Sequence, residues 1–239
     1  MKYHVALELK GDKLPADYRR TVISFFKKAI SEYMDGAFYK ELYDNGANSK
    51  SLTWSIRFSK PNFDNGVMRV ADTKVDMTLK ISDVQTALIY YSALLGMKDK
   101  KFNIGMDNAW VLKKIRLVKE FDIEEEIVGF KVLSPICIRR HNRDENKDNY
   151  ITVEDAGFAM EINRKLKEEL PYMAEKIDTL EYDFSGLKKT FVPAFAIFIP
   201  VSVGSFYIKG DKNILDHINK TGLGSRRNAG FGLVEGIMR

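Results

Sequence analysis

The sequence predicts an α+β protein: two tandem ferredoxin-like (RRM-like) domains with a C-terminal glycine-rich loop. Three observations predict it. The first half reads strand, helix, strand, strand, helix, strand from its hydrophobic periods. The second half gives the same order again. The chain then ends on Gly222-Leu223-Gly224, five further residues, and Gly230-Phe231-Gly232 before a short apolar run. Two copies of one topology account for 239 residues, so the expected domains are 1–122 and 123–239, with the loop at 222–232.

In the first half, Tyr3 to Leu9 alternates, with Val5, Leu7 and Leu9 on one face and His4 on the other, and reads as a strand. Pro15 suits the first turn of a helix. Val22, Phe25, Phe26, Ala29, Ile30 and Tyr33 follow at helical spacing as far as Gly36. The polar face of that helix carries Arg20, Ser24, Lys27 and Ser31. Phe38 to Leu42 adds a helical turn, and Tyr43-Asp44-Asn45-Gly46 signals a reversal. Leu52 to Phe58 alternates as a strand, Pro61 to Gly66 breaks the chain, and Val67 to Ile81 holds one or two strands around a turn at Ala71-Asp72. Ser82 to Gln85 has capping-box spacing, and Val84, Ala87, Leu88, Tyr91 and Leu95 form an apolar stripe that stops at Gly96. Val111 to Phe121 is again strand-like.

In the second half, Ile127 to Ile138 reads as a strand, and Arg139 to Tyr150, polar and without period, as a long loop. Thr152-Val153-Glu154-Asp155 resembles a helix start, with Phe158, Ile162, Leu166 and Leu170 spaced by four and Pro171 behind them. Strands follow at about Phe191 to Ile199 and Val201 to Ile208. Asp211 can cap a short helix that buries Ile214, Leu215 and Ile218. A last strand runs from Gly232 to Met238.

Apolar residues at 45% and charged residues at 30% fit a globular chain, and no apolar run reaches the roughly 18 residues of a membrane span. The expected compartment is the cytoplasm, because Met1-Lys2-Tyr3-His4 leads straight into a strand pattern with no signal peptide. A net charge of +5 is compatible with a polyanionic partner without requiring one. The single cysteine, Cys137, sits in an apolar run and reads as a small core residue. His4, His141 and His217 are far apart and there is no second cysteine, so no metal site and no cofactor is expected.

The terminal loop carries the most chemistry. Its glycines (Gly222, Gly224, Gly230 and Gly232) allow positive φ and close backbone approach, and successive N–H groups in such a loop can cradle an anion. Arg226 and Arg227 add forked donors suited to phosphate. Arg139, Arg140 and Arg143 in the polar segment, and Lys209 ahead of the last helix, are further candidates for the same groove. Phe231 between two glycines is expected to be buried. This loop resembles the signature loop of the repeat-associated RNA-binding superfamily of CRISPR systems. Within that superfamily the chain most resembles the endoribonuclease that processes CRISPR precursor transcripts, family six of the CRISPR-associated proteins. Val132-Leu133-Ser134-Pro135-Ile136 and the opening order, ending in Leu52-Thr53-Trp54-Ser55, resemble the same family.

The resemblance implies a metal-independent cut. The 2′-hydroxyl attacks the adjacent phosphate and leaves a 2′,3′-cyclic phosphate. Such a step needs alignment, proton transfer and positive charge on the phosphorane. It implies CRISPR repeat RNA as partner, and admits other CRISPR effector subunits and a homodimer. The family places a tyrosine in the first helix, a histidine just after it and a lysine beyond. Those places fall here on Lys27, Tyr43 and Lys50, and no histidine lies between residues 5 and 140. Three readings follow: a histidine-free site of Lys27, Tyr43 and Lys50; a site completed by His141 or His217; or a protein that binds repeat RNA without cutting it.

Overall fold

The computed structural model describes residues 1–44, 51–142 and 147–237. The chain divides into two compact units, Met1–Glu120 with Pro193–Ile197, and Phe121–Val192 with Phe198–Arg239.

The first unit contains β1 (Lys2–Leu9), β2 (Lys13–Pro15), α1 (Tyr18–Glu32), β3 (Leu52–Arg57), β4 (Asn62–Asp64), β5 (Val67–Arg69), β6 (Lys74–Ile81), α2 (Val84–Gly96), β7 (Lys101–Gly105) and β8 (Asn108–Val118). Its main sheet runs β3-β6-β1-β8-β7 with every pair antiparallel, the ferredoxin-like arrangement plus one edge strand. Alternation sets its core. Val5, Leu7 and Leu9 on β1 and Val75, Met77 and Leu79 on β6 are buried, packing with Phe25, Phe26 and Ile30 of α1.

Three details differ from the periodicity. Pro15 ends β2, which pairs with β5, and α1 starts three residues later. Asp83, not Ser82, caps α2 by accepting the Thr86 N–H at 2.6 Å. On α2 the core takes Ala87, Ile89, Tyr90, Ala93 and Leu94, leaving Val84, Leu88 and Leu95 exposed. That helix is apolar nearly all round, so its sequence offers two overlapping stripes and does not say which faces the sheet.

The second unit contains β9 (Ile127–Val132), β10 (Ile138–Asn142), β11 (Lys147–Ile151), α3 (Phe158–Glu169), α4 (Ala174–Asp178), β12 (Glu181–Asp183), β13 (Leu187–Ala194), β14 (Ile197–Lys209), α5 (Lys212–Thr221) and β15 (Val234–Ile237). Its sheet runs β12-β14-β9-β15, with β13 also on β14. Phe158, Ile162, Leu166, Ile214, Leu215 and Ile218 cover it, at the spacing the sequence predicts. The Asp211 carboxylate caps α5 by accepting the Asn213 N–H at 2.9 Å. The strand expected from Ile127 to Ile138 breaks at Leu133–Cys137. The expected loop from Arg139 to Tyr150 is instead an antiparallel hairpin of β10 and β11. Beyond Ile138 and Ile151 at its base, both its faces are polar, so no alternation announces it.

Candidate nucleic-acid interface

The glycine loop rests on the Leu133–Cys137 break. The Leu133 and Ser134 N–H groups donate to the Leu233 carbonyl, and the Gly232 N–H donates to the Pro135 carbonyl at 2.8 Å. The Ser134 hydroxyl accepts the Leu233 N–H at 2.9 Å. The Ser225 N–H donates to the Cys137 carbonyl at 2.7 Å. Two stretches almost a hundred residues apart in the chain thus form one backbone-bonded platform.

Glycine is needed where this platform is tightest. Gly224 has φ +90°, and a Cβ there would lie 2.7 Å from the Cys137 carbonyl oxygen. Gly232 has φ +70°, and its Cβ would lie 2.0 Å from the Leu223 carbonyl oxygen. Arg226 and Gly230 are left-handed as well. Several loop amides turn inward: Gly222 N–H to Ile218, Leu223 to Gly232, Ala229 to Arg226 and Gly230 to Arg227 carbonyls. These four are thereby withdrawn from the expected amide cradle. Gly222, Gly224, Gly230 and Gly232 shape the loop, and side chains supply its outward chemistry. Phe231 is buried, as expected.

The two loop arginines have different surroundings. Arg227 forks onto Glu169 at the end of α3, Nη1 to Oε2 at 3.0 Å and Nη2 to Oε1 at 2.7 Å. Its Nη1 also reaches the Thr221 and Gly222 carbonyls at 3.3 and 3.4 Å. Only 10% of its side chain is exposed. His217 Nε2 meets the same carboxylate at 2.9 Å. Burial works to raise the Glu169 pKa, but the His217 hydrogen bond and the Arg227 charge outweigh it and hold the carboxyl below its ordinary value. Arg227, expected to face phosphate, has its guanidinium turned into the protein, where it ties loop, α3 and α5 together.

Arg226 sits in a second cluster. On the β10–β11 hairpin, Arg139 pairs with Tyr150 and His141 with Asp148, so all four side chains share one face. Arg226 Nη2 reaches Asp148 Oδ2 at 3.2 Å and the Tyr150 hydroxyl at 3.0 Å. Arg139 Nε reaches the same Oδ2 at 2.7 Å, and His141 Nδ1 reaches Oδ1 at 2.8 Å. The Arg139 hydrogen bond, with those of His141 and the charge of Arg226, holds the Asp148 carboxyl far below the usual carboxylate range.

Two other candidates stand apart from this cluster. Arg140 lies on the opposite hairpin face and pairs with Glu161 of α3, a buried carboxylate that also takes Arg164. A buried carboxylate needs such partners, so Arg140 contributes to the fold, with 54% of its side chain exposed. Lys209 pairs with Glu181 at 2.7 Å and lies opposite Ile127, the start of β9. The loop joins the other end of β9, roughly 20 Å away at strand rise. Lys209 is therefore not part of the loop groove. Arg143 and Lys50 lie outside the described residues.

In the first unit, Lys27 on α1 and Tyr43 come together, with Lys27 Nζ 5.4 Å from the Tyr43 ring centroid. The Tyr43 and Tyr90 hydroxyls are 2.7 Å apart. Burial, then the neighbouring Tyr90, pushes the Tyr43 pKa well above the ordinary tyrosine value, and burial pushes Tyr90 up to about 12. Tyr43 therefore stays protonated and can donate or position, not accept a proton. All three histidines face carboxylates: His4 meets Asp76 at 3.0 Å, beside the Asp148 and Glu169 pairs above. Among the described residues, no group of three His, Cys, Asp or Glu could hold a metal, and no helix is long and apolar enough to cross a membrane. Sequence reading missed Glu169, Asp148 and Tyr150, and quoted Ser134 without foreseeing its bond to the loop. The one available signal was that a loop with two adjacent arginines needs carboxylates from elsewhere.

A family model described as CRISPR associated protein Cas6, C-terminal, matches residues 113–236, more than half of the chain. No curated protein matches. Among solved structures, a Cas6-related protein of Pyrococcus furiosus is 18% identical with TM-score 0.83, covering 100% of this chain and 99% of that one. An RAMP protein binding different RNA substrates is 19% identical with TM-score 0.81 and full coverage of both chains. A Cas6 product complex is 18% identical with TM-score 0.73, covering 99% and 100%.

Proposed function

We propose that this chain, which belongs to the Cas6 family of CRISPR-associated proteins, binds CRISPR repeat RNA and cuts precursor transcripts into guide units without a metal ion. One observation carries the reading: within the family-matched segment, a fixed glycine loop presents Arg226 beside Arg139 on a half-open cationic face. Guanidinium groups so placed suit the phosphates of a polyanion. The RNA-binding RAMP neighbour and the Cas6 product complex support the substrate class.

In the cut itself, the 2′-oxygen bonds to phosphorus, the bond to the 5′-oxygen breaks, and a proton moves from the first oxygen to the second. Lys27 is assigned charge stabilisation of the phosphorane or protonation of the leaving 5′-oxygen. Tyr43, held neutral, orients Lys27 or donates a hydrogen bond. Lys50 keeps its assignment as a second cation. Water or the RNA itself receives the first proton, so the site should be slow compared with one that has a tuned histidine.

A second reading is a repeat-RNA-binding subunit that does not cut. The protonated Tyr43 and the lack of any histidine between residues 5 and 140 favour it. Incubating the protein with end-labelled repeat RNA and analysing the product ends separates the two. A retarded band plus fragments ending in 2′,3′-cyclic phosphate is expected. Retardation without fragments leaves the binding subunit, and no retardation against a scrambled control removes both.

A further inference from the structure

We infer that Arg139, His141, Tyr150 and Arg226 form a receptor for one phosphodiester of the RNA, and that the Asp148 carboxylate occupies the phosphate's place until RNA arrives. The inference rests on the RNA-binding reading and adds a residue that works against binding.

The hairpin register puts Arg139, His141, Asp148 and Tyr150 on one face, and the left-handed Arg226 brings a second guanidinium to it from the loop. The Arg139 N–H donates to the Ser225 hydroxyl at 3.2 Å, fixing loop and hairpin together. Two permanent cations then meet one carboxylate oxygen, Asp148 Oδ2, at 2.7 and 3.2 Å. The two guanidinium groups and the one carboxylate sum to +1. A carboxylate and a phosphate offer guanidinium groups the same kind of charged oxygen acceptor, so one can replace the other.

The neighbouring pair shows which arginine is exchangeable. Arg227 is forked on Glu169 and nearly closed from solvent, whereas Arg226 and Asp148 keep 22% and 23% of their side chains exposed and meet through single atoms. Open single-contact pairs of this kind are weak. Tyr150 adds a ring 5.8 Å from the Arg226 guanidinium, and its hydroxyl accepts from Arg226 Nη2. A ring beside a phosphate receptor offers a sugar or base a face to rest on. When the phosphate enters, the displaced Asp148 carboxylate faces the polyanion and repels it.

Asp148→Asn keeps a carbonyl oxygen for the arginines and removes the repulsion. Fluorescence anisotropy with a fluorescein-labelled transcript of the repeat, read across a salt series, tests this. Asp148→Asn is expected to bind about threefold tighter or more at low salt. Arg139→Gln and Arg226→Gln are each expected to flatten the slope of log K against log salt, and by about 0.7 to 0.9 when combined, the share of one phosphate. The gain from Asp148→Asn should vanish when Arg139→Gln and Arg226→Gln are both present. Equal or weaker binding by a folded Asp148→Asn overturns the inference. Should that variant lose its fold, unchanged slopes in the two arginine variants overturn it instead. A wild type that binds no RNA sinks the functional reading as well, whereas wild-type binding with no Asp148→Asn gain sinks the inference alone.

Discussion

Replacing Gly232 with alanine is expected to destabilise the protein by about 3 kcal/mol, the largest stability effect of a single methyl group in the loop. Two costs add. Holding an L-residue at φ +70° costs about 1–2 kcal/mol. The added Cβ would also lie 2.0 Å from the Leu223 carbonyl oxygen, and moving that backbone costs about 1–3 kcal/mol. The backbone cannot yield locally, because the Leu223 N–H donates to the Gly232 carbonyl and the Gly232 N–H to Pro135. The transition of the affected unit in calorimetry should fall by roughly 12 °C. Gly96→Ala is the control: no atom lies within 4 Å of its Cβ and its φ is not positive, so a change within about 0.5 kcal/mol is expected. A Gly232→Ala protein that melts with the wild type would show that the loop is not built as described.

The second large effect is on turnover. Lys27→Ala is expected to slow cleavage of repeat RNA about 10²-fold while changing RNA affinity less than about threefold, the pattern of a group used mainly in the transition state. Lys27 is exposed and lies beside the Tyr43 ring, so its removal should leave the fold intact. Tyr43 adds a pH signature. A tyrosinate base would make the rate climb as pH approaches about 10. Burial and Tyr90 raise the Tyr43 pKa, so no such climb is expected, and Tyr43→Phe should leave the shape of the profile unchanged. Single-turnover rates across alkaline pH check both. Equal rates for Lys27→Ala and wild type would remove Lys27 from the chemistry.

What was legible in the sequence follows from the range of the interactions involved. Strands such as Lys2–Leu9 and helices such as Phe158–Glu169 bury one face each, so a period of two or near four marks them. The hairpin of Ile138–Asn142 and Lys147–Ile151 carries polar side chains on both faces and leaves no such trace. The four loop glycines were legible as glycines, but not their purpose. The Cys137 carbonyl that crowds Gly224 and the Pro135 carbonyl that takes the Gly232 N–H come from Leu133–Cys137, brought alongside only by the fold. Arg226 and Arg227 are adjacent and chemically identical in the sequence. What separates them is Asp148 and Glu169, 78 and 58 residues away. Charge alone said that these arginines seek anions; only the structure divides them between a closed pair and a half-open one.

The most direct test of the central claim is a cleavage assay in excess EDTA on two repeat RNAs. One is all-ribose, and the other carries a single 2′-deoxy sugar upstream of the cut. The first is expected to be cut to a 2′,3′-cyclic phosphate product, and the second to be bound with similar affinity and left whole. Cutting of the deoxy substrate, or loss of all cutting in EDTA that added magnesium restores, would contradict the claim.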